Sequence, residues 1–296
     1  QEEIAQYVQN SISLRKESLS LLEKAKLTVE DVIQNGGGKI AQAYSRLQQK
    51  SAKEMHKAIY LLLCDVGIIT NNTLVKTGVV CSYKKLSESF LTSGRLDAEY
   101  YQPKYDMLFE KLRDFPTATI KEIVTIQKSV EPGSEAYQEE GIPFIRVANL
   151  SKYGISDSDV KLDAAEFADA IRPQKDAILL SKDGSVGIAY KMEEAQNVIT
   201  SSAILHLYVT SKDVLPDYLT LVLNSVVVRL QAERDAGGSI IQHWKPSEIE
   251  NVIIPILPMN EQQMIADKIQ ESFNLRRESE ILLQKAKLLV EEIIEK

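Results

Sequence analysis

Apolar and small residues fall at alternating steps of four and three near the start of the chain, at Leu14, Ser18, Leu21, Ala25, Thr28 and Val32. The same rhythm returns near the end, at Leu275, Ser279, Leu282, Ala286, Leu289 and Ile293. Such spacing lines up one face of an α-helix as a seam for a second helix. The two stretches are copies. Ile4–Gln34 laid over Ile265–Glu295 without a gap gives 17 identities in 31 positions. At helical rise a stretch of this length spans roughly 45 Å. Leu22 and Leu283, Val29 and Val290 widen the seam. Arg15-Lys16-Glu17 and Arg276-Arg277-Glu278 mark the face for water. Ser and Ala on the seam let two helices approach closely. Because the copies share one seam, they are expected to pair with each other. The alternative is that each packs on the body separately, as an ordinary amphipathic helix.

Between the copies the pattern changes twice. Gln34-Asn35-Gly36-Gly37-Gly38 ends the first helix, since Asn and Gly terminate helices. Lys39–Leu63 is helical again, with Ile40, Ala43, Leu47, Ala52, Met55, Ile59 and Leu62 on one face. Gly67–Gly78 is expected to be a loop with a short extended piece, and Tyr83–Leu91 a turn or short helix. Arg95–Phe115 bends at Pro103, continues as helix and stops at Pro116. From Thr117 short β-rich runs alternate with turn residues: TIKEIVTIQ, GIPFIRVANL, AILLS, GIAYKM, NVITSSAILHLYVT and NVIIPILP. Embedded helices are expected at Ala164–Ala168 and Pro216–Glu233. Ile254–Pro258 leaves as an extended segment, and Asn260 is placed to N-cap the second copy. The organisation is α+β: a helix over residues 1–35, a helical connector over 36–94, a mixed body over 95–258 and a helix over 259–296.

Charge argues against a simple nucleic-acid binder. The 296-residue chain has a net charge of −7. Thr117–Pro258 alone holds 13 Lys and Arg against 20 Asp and Glu, or 13 − 20 = −7. A DNA-binding face must therefore be local, or complemented by a partner. Ala58–Ile69, the longest apolar run, is interrupted by Asp65 and Gly67 and is too short for a membrane span. The polar, helical start does not read as a signal peptide. Cys64 and Cys81 give no disulfide framework, in keeping with the cytoplasm.

Candidate chemistry concentrates on turns. Lys182-Asp183-Gly184-Ser185-Val186-Gly187 follows a strand. Such a turn presents backbone N–H groups and a Lys to a phosphate; a plain β-turn is the alternative. In Gly237–Pro246 two glycines precede Gln242, His243, the single Trp244 and Lys245. Gln can read adenine, and Lys can meet guanine or phosphate; His243 and Trp244 also fit structural roles. Arg146 and Asn149 flank a strand edge. Arg146 suits a phosphate clamp or a buried ion pair. Lys128, in the loop before Glu131-Pro132-Gly133, is a further basic candidate at a loop tip, with a plain solvated Lys as the alternative. Motifs for catalysis are missing: no Gly-x-Ser-x-Gly, His-Glu-x-x-His or Cys-x-x-Cys occurs, and His56, His206 and His243 are scattered.

Four blocks in order, RLDAEYYQPKY, EEGIPFIRVANLSKYG, LLSKDGSVGIAY and GGSIIQHWKPSEIENVIIPILPMNEQQMIADKI, followed by the long helix, resemble the specificity subunit of type I restriction–modification systems. The resemblance covers about Arg95–Lys296, and the first helix by repetition. It implies a target-recognition domain over 95–258 that binds double-stranded DNA, one half of a split site per domain. It implies long helices paired as an antiparallel coiled coil that spaces the half-sites and docks two methyltransferase subunits. Those partners hold S-adenosylmethionine and methylate adenine, and a restriction subunit can join. The chain itself would be non-catalytic, hold no cofactor and touch no membrane. The residues expected at DNA are Lys128, Arg146, Asn149, Lys182, Ser185, Gln242, His243 and Lys245. Those expected to dock partners are Arg15, Lys24, Arg276 and Lys285. The family carries two recognition domains, and this sequence has one. Gln1 aligns with Gln262, so the chain is expected to be the C-terminal part of a longer subunit. A natural half-subunit that dimerises is the alternative, and the mass of the native polypeptide distinguishes the two. The competing functions are a coiled-coil adaptor whose β-rich domain binds protein, and an enzyme with a nonstandard site.

Overall fold

A computed structural model describes residues 2–35, 84–236 and 243–294. The expected helix at Lys39–Leu63, the loop at Gly67–Gly78 and the candidate Gln242 lie outside these residues. In chain order the described helices are α1 (Glu2–Asn35), α2 (Phe90–Ser93), α3 (Pro103–Leu112), α4 (Ile120–Ile123), α5 (Pro216–Leu223), α6 (Val226–Asp235), α7 (Pro246–Glu250) and α8 (Met259–Ile294). The short strands β1 (Thr117–Thr119) to β11 (Ile253–Pro255) lie between them.

The two repeats pair antiparallel, α1 against α8. The contact is a serine ladder. Ser11 Oγ donates to the Ser279 carbonyl and Ser279 Oγ donates to the Ser11 carbonyl, each at 2.8 Å. One step along, Ser272 Oγ donates to the Ser18 carbonyl at 2.7 Å, and the two hydroxyls lie 3.0 Å apart. Side chain to opposing backbone contact of this kind requires close helices, which only small residues permit. The fully buried seam is therefore Ser11, Ser18 and Ala25 against Ser272, Ser279 and Ala286, at steps of seven. Leu14, Leu21, Leu275 and Leu282, expected at its centre, are only half-buried. Leucine is too wide for the gap and flanks it. Under the repeat, Ser11 corresponds to Ser272 and Ser18 to Ser279. The pair Ser11–Ser279 thus maps onto the pair Ser18–Ser272, and the helix pair has a local twofold.

Replacing Ser18 with Leu inserts a branched chain into this gap. The expected cost is about 1–3 kcal/mol from overpacking. The lowered urea midpoint should be absent from Ser18→Ala, which keeps the gap and leaves the Ser272-to-backbone bond intact; equal midpoints for both variants would contradict the close-packed seam.

The body rests on one end of this pair. A four-stranded antiparallel sheet runs in the order β2 (Val124–Lys128), β10 (Ile204–Val209), β7 (Ile178–Ser181), β8 (Ala189–Lys191). A second sheet joins β6 (Lys161–Leu162), β3 (Ile142–Ile145) and β9 (Ile199–Thr200), with β3 and β9 parallel. β1 pairs with β11, and β4 (Leu150–Ser151) with β5 (Gly154–Ile155) as a hairpin. Burial of Ile178, Leu180, Leu205, Leu207, Tyr218, Leu219, Val222 and Trp244 forms the main core. Ala25, Leu22, Ile265, Ile269 and Phe273 from the helix pair enter the same core. Gln262 of α8 fixes the joint, accepting from Leu215 N and donating to the Asp213 and Leu257 carbonyls. Buried Lys191 pairs with Asp217 at 2.9 Å, and Gln270 of α8 donates to the same carboxylate at 2.7 Å.

Three local expectations are corrected. Pro216–Glu233 is two helices, broken at Asn224-Ser225. Asn224 bonds across to both Ala189 N and Ala189 O, and Ser225 caps α6. Ala164–Ala168 forms turns, because the Asp163 carboxylate accepts from Ala165 N and Glu166 N. Asn260 does not cap α8. The helix starts at Met259, with Glu261 N and Gln262 N bonded to the Pro258 carbonyl.

Candidate nucleic-acid interface

β2 and β7 flank β10 and are both antiparallel to it, so their C-terminal ends lie at the same edge. That edge carries Lys128, which is the last residue of β2, paired with Leu205, rather than a loop tip, and Lys182 just past β7. The start of β10 ties in the neighbours. Lys182 N donates to the Ala203 carbonyl at 2.9 Å, and Ser201 N donates to the Ile145 carbonyl at 2.8 Å. Val130 bridges to Ser201. Arg146, next after β3, therefore joins the same rim. Lys128 and Arg146 are exposed, and neither forms an ion pair among the described residues.

The turn after β7 closes on itself. Gly187 N donates to the Ser181 carbonyl, Ile188 N to Ser181 Oγ, and Ser181 Oγ to the Ser185 carbonyl. Gly184 and Gly187 have φ of 71° and 85°, the left-handed region where a side chain is strained. The tip, Gly184-Ser185, is exposed. The segment after Gln242 is zipped onto this turn. Trp244 N donates to the Lys182 carbonyl at 2.8 Å, and His243 Nδ1 lies 2.9 Å from Asp183 Oδ1. Lys182 pairs with the other oxygen of Asp183. Trp244 is 1% exposed and anchors the segment in the core, while His243 and Lys245 on either side remain at the surface. Lys245 reaches Glu248 at 3.4 Å.

Five of the eight DNA candidates, Lys128, Arg146, Lys182, His243 and Lys245, thus collect at one end of the body, with Ser185 on the adjoining tip. Asn149 serves its own turn. Its Oδ1 accepts from Arg146 N at 3.1 Å and its Nδ2 donates to the Asp157 carbonyl at 2.9 Å. Asp183 joins the site only through the fold, since nothing in sequence links it to a histidine 60 residues later. Beneath the rim, buried His206 places Nε2 2.8 Å from Thr200 Oγ1, and burial lowers its pKa to about 4. On the helices, Arg15 and Lys285 are exposed and Lys24 is half-buried. Arg276, expected to face water, instead stacks on Tyr153 of the body at 4.6 Å from the ring centre. Among the described residues no His, Cys, Asp and Glu group could hold a metal, and no helix is long and apolar enough to cross a membrane.

An edge of strand ends bearing cations above a sheet, held on a close-packed helix pair, is an arrangement in which binding contacts lie on loops. The sequence profile of the type I restriction modification DNA specificity domain matches residues 113–284, more than half of the chain, and the chain belongs to that family. Among solved structures it is similar to the S subunit of the type I restriction-modification system from M. genitalium, at 19% identity over 53% of this chain and 38% of that one, with a TM-score of 0.40. The HsdS subunit from Thermoanaerobacter tengcongensis matches at 18% identity over 61% of this chain and 52% of that one, with a TM-score of 0.40. A chain from a structure addressing complex assembly and conformational transition of the type I R-M system matches at 17% identity over 95% of this chain and 58% of that one, with a TM-score of 0.41. The chain therefore spans between 38% and 58% of the length of these three. No curated protein matches it.

Proposed function

We propose that this chain reads one half of a bipartite DNA site for a type I restriction–modification complex and does no chemistry itself. The observation that carries the reading is the twofold of the helix pair combined with the one body that the described residues build on it. On α8, Ile269 and Phe273 pack into the body. Their equivalents under the repeat, Val8 and Ile12, lie at the other end of the pair, and Ile12 is 44% exposed. Among the described residues one of two equivalent seats is filled, by the body, as half of a two-part reader requires. In this reading two methyltransferase subunits dock on the helices near Arg15, Lys24 and Lys285, bring the S-adenosylmethionine and supply much of the cationic surface. That resolves the net charge of −7. A restriction subunit completes the complex, which works in the cytoplasm.

Lys128 and Arg146 test the DNA edge. In the assembled complex, Lys128→Ala and Arg146→Ala should each weaken binding of the cognate site by about 1–3 kcal/mol if the side chain reads a base. A phosphate contact instead lowers the slope of log K against log salt by about 1 and affects all sequences alike. The cognate sequence comes from mapping methylated adenines in cells carrying the intact system. If neither substitution changes affinity or salt slope, this edge is not the DNA interface. Failure of the complex to bind any DNA would favour the acidic body as a protein-binding adaptor.

A further inference from the structure

The β4–β5 hairpin connects the candidate DNA edge to the helix pair. Its root is stiff: Asn149 locks the Arg146 turn, and Ser156 N donates to the Asn149 carbonyl at 2.9 Å. Its tip is also locked, with Ser151 Oγ accepting from Tyr153 N at 3.2 Å and donating to the Gly154 carbonyl at 3.0 Å. The half-buried Tyr153 ring meets the Arg276 guanidinium at 4.6 Å, and Lys152 Nζ lies 5.1 Å from the same ring. Arg276 is held from behind by Glu280 of its own helix at 3.4 Å.

The position of this contact along α8 gives it leverage. The body is rooted at Gln262, Ile265 and Ile269, and continues through the Gln270–Asp217 bond and the Phe273–Tyr190 ring pair at 6.3 Å. Arg276 lies beyond all of these, about 21 Å from Gln262 at helical rise. A contact this far from the Gln262 joint has more leverage on the angle between body and helix pair than those nearer to it. From the residues on both sides, we propose that the Tyr153–Arg276 stack is a positioning strut. It fixes the angle between recognition domain and helix pair, and so the separation at which the half-site is presented. Tyr153 touches no DNA in this role. The strut couples the Arg146 edge to the spacer through one stiff hairpin.

This inference rests on the proposed reading of a bipartite site, so its test has two arms. The first is independent of DNA. In the full chain with Cys64 and Cys81 replaced by Ser, spin labels are placed at Lys175→Cys on the body and Lys285→Cys on α8. Tyr153→Ala and Arg276→Gln should broaden or shift the measured distance distribution, and Tyr153→Phe, which keeps the ring, should not. An unchanged distribution in Tyr153→Ala overturns the strut whatever the chain binds. The second arm measures methylation by the assembled complex on DNAs whose half-sites are moved apart or together by single base pairs. Tyr153→Ala should raise the off-spacing to correct-spacing ratio roughly threefold or more, the scale of one lost cation–aromatic contact. Tyr153→Phe should retain the wild-type profile. An equal loss at every spacing would make Tyr153 a DNA contact or a fold residue and overturn the proposal. A wild-type complex indifferent to spacing would sink the bipartite reading, with the label distances still deciding the strut.

Discussion

Replacing Trp244 with Ala is expected to lower stability by about 3–5 kcal/mol, the usual cost of emptying a buried aromatic site. Trp244 is among the largest fully buried side chains and packs with the main core. Its backbone N–H also zips the segment to Lys182. The loss should therefore reach DNA binding through His243 and Lys245, which depend on this anchor for position. Chemical unfolding followed by circular dichroism measures the first effect, and cognate-site affinity at a temperature where the variant is still folded measures the second. Trp244→Phe keeps an aromatic ring in the site and should cost clearly less on both. An alanine variant of near wild-type stability would show that the segment is held by its surface residues instead.

Acid should weaken the fold before its stabilised carboxylates titrate. His206 is fully buried, and its folded pKa of about 4 lies below the ordinary value of 6.5. A depressed histidine pKa means that the unfolded chain takes up the proton first. The contribution is thus complete above pH 6.5 and is lost as pH falls towards about 4. The gap between those values corresponds to about 3 kcal/mol. Asp97, bonded to Arg95, and Glu122 and Asp163, bonded to backbone N–H groups, are all held below the usual carboxylate range and respond at lower pH. Urea midpoints between pH 7.5 and pH 4.5 should fall in the wild type, and the fall should be smaller in His206→Met. Parallel profiles for the two would show that His206 is not the sensor. Because His206 lies on β10 beside the rim, DNA affinity should decline over the same range.

The helices were legible because their signal is local and repeated. The four-three rhythm and the 17 identities are properties of the chain alone. What the rhythm misjudged was which residues touch. A serine reads as solvated, yet Ser11 and Ser272 sit in the seam while Leu14 and Leu275 flank it, since backbone approach favours the smallest side chain. The β-rich body was legible as a block and less so in detail. Asn224 breaks a helix by bonding to Ala189, a partner 35 residues away. The candidate site divides on the same line. Turn chemistry pointed to Lys182 and His243, but only the fold brings them together through Asp183. Asn149 carried the residue type of a base reader, and its hydrogen bonds go to its own turn.

The small residues and the serine bonds constrain the helix pair differently. Sliding α1 along α8 by one heptad would set Ser11 against Ala286, Ser18 against Ser279 and Ala25 against Ser272, small against small, but would leave one serine pair in place of two. The two alignments differ by about 10.5 Å of helical rise. Small side chains alone are a rail, and the reciprocal serine-to-backbone bonds are a first stop on it. The second stop is the body, whose core closes over Ala25 and Leu22 of α1 as well as Ile265 and Ile269 of α8. The length of the helix pair is written in the repeat, but its zero mark is set by four serines and by the domain that sits on them.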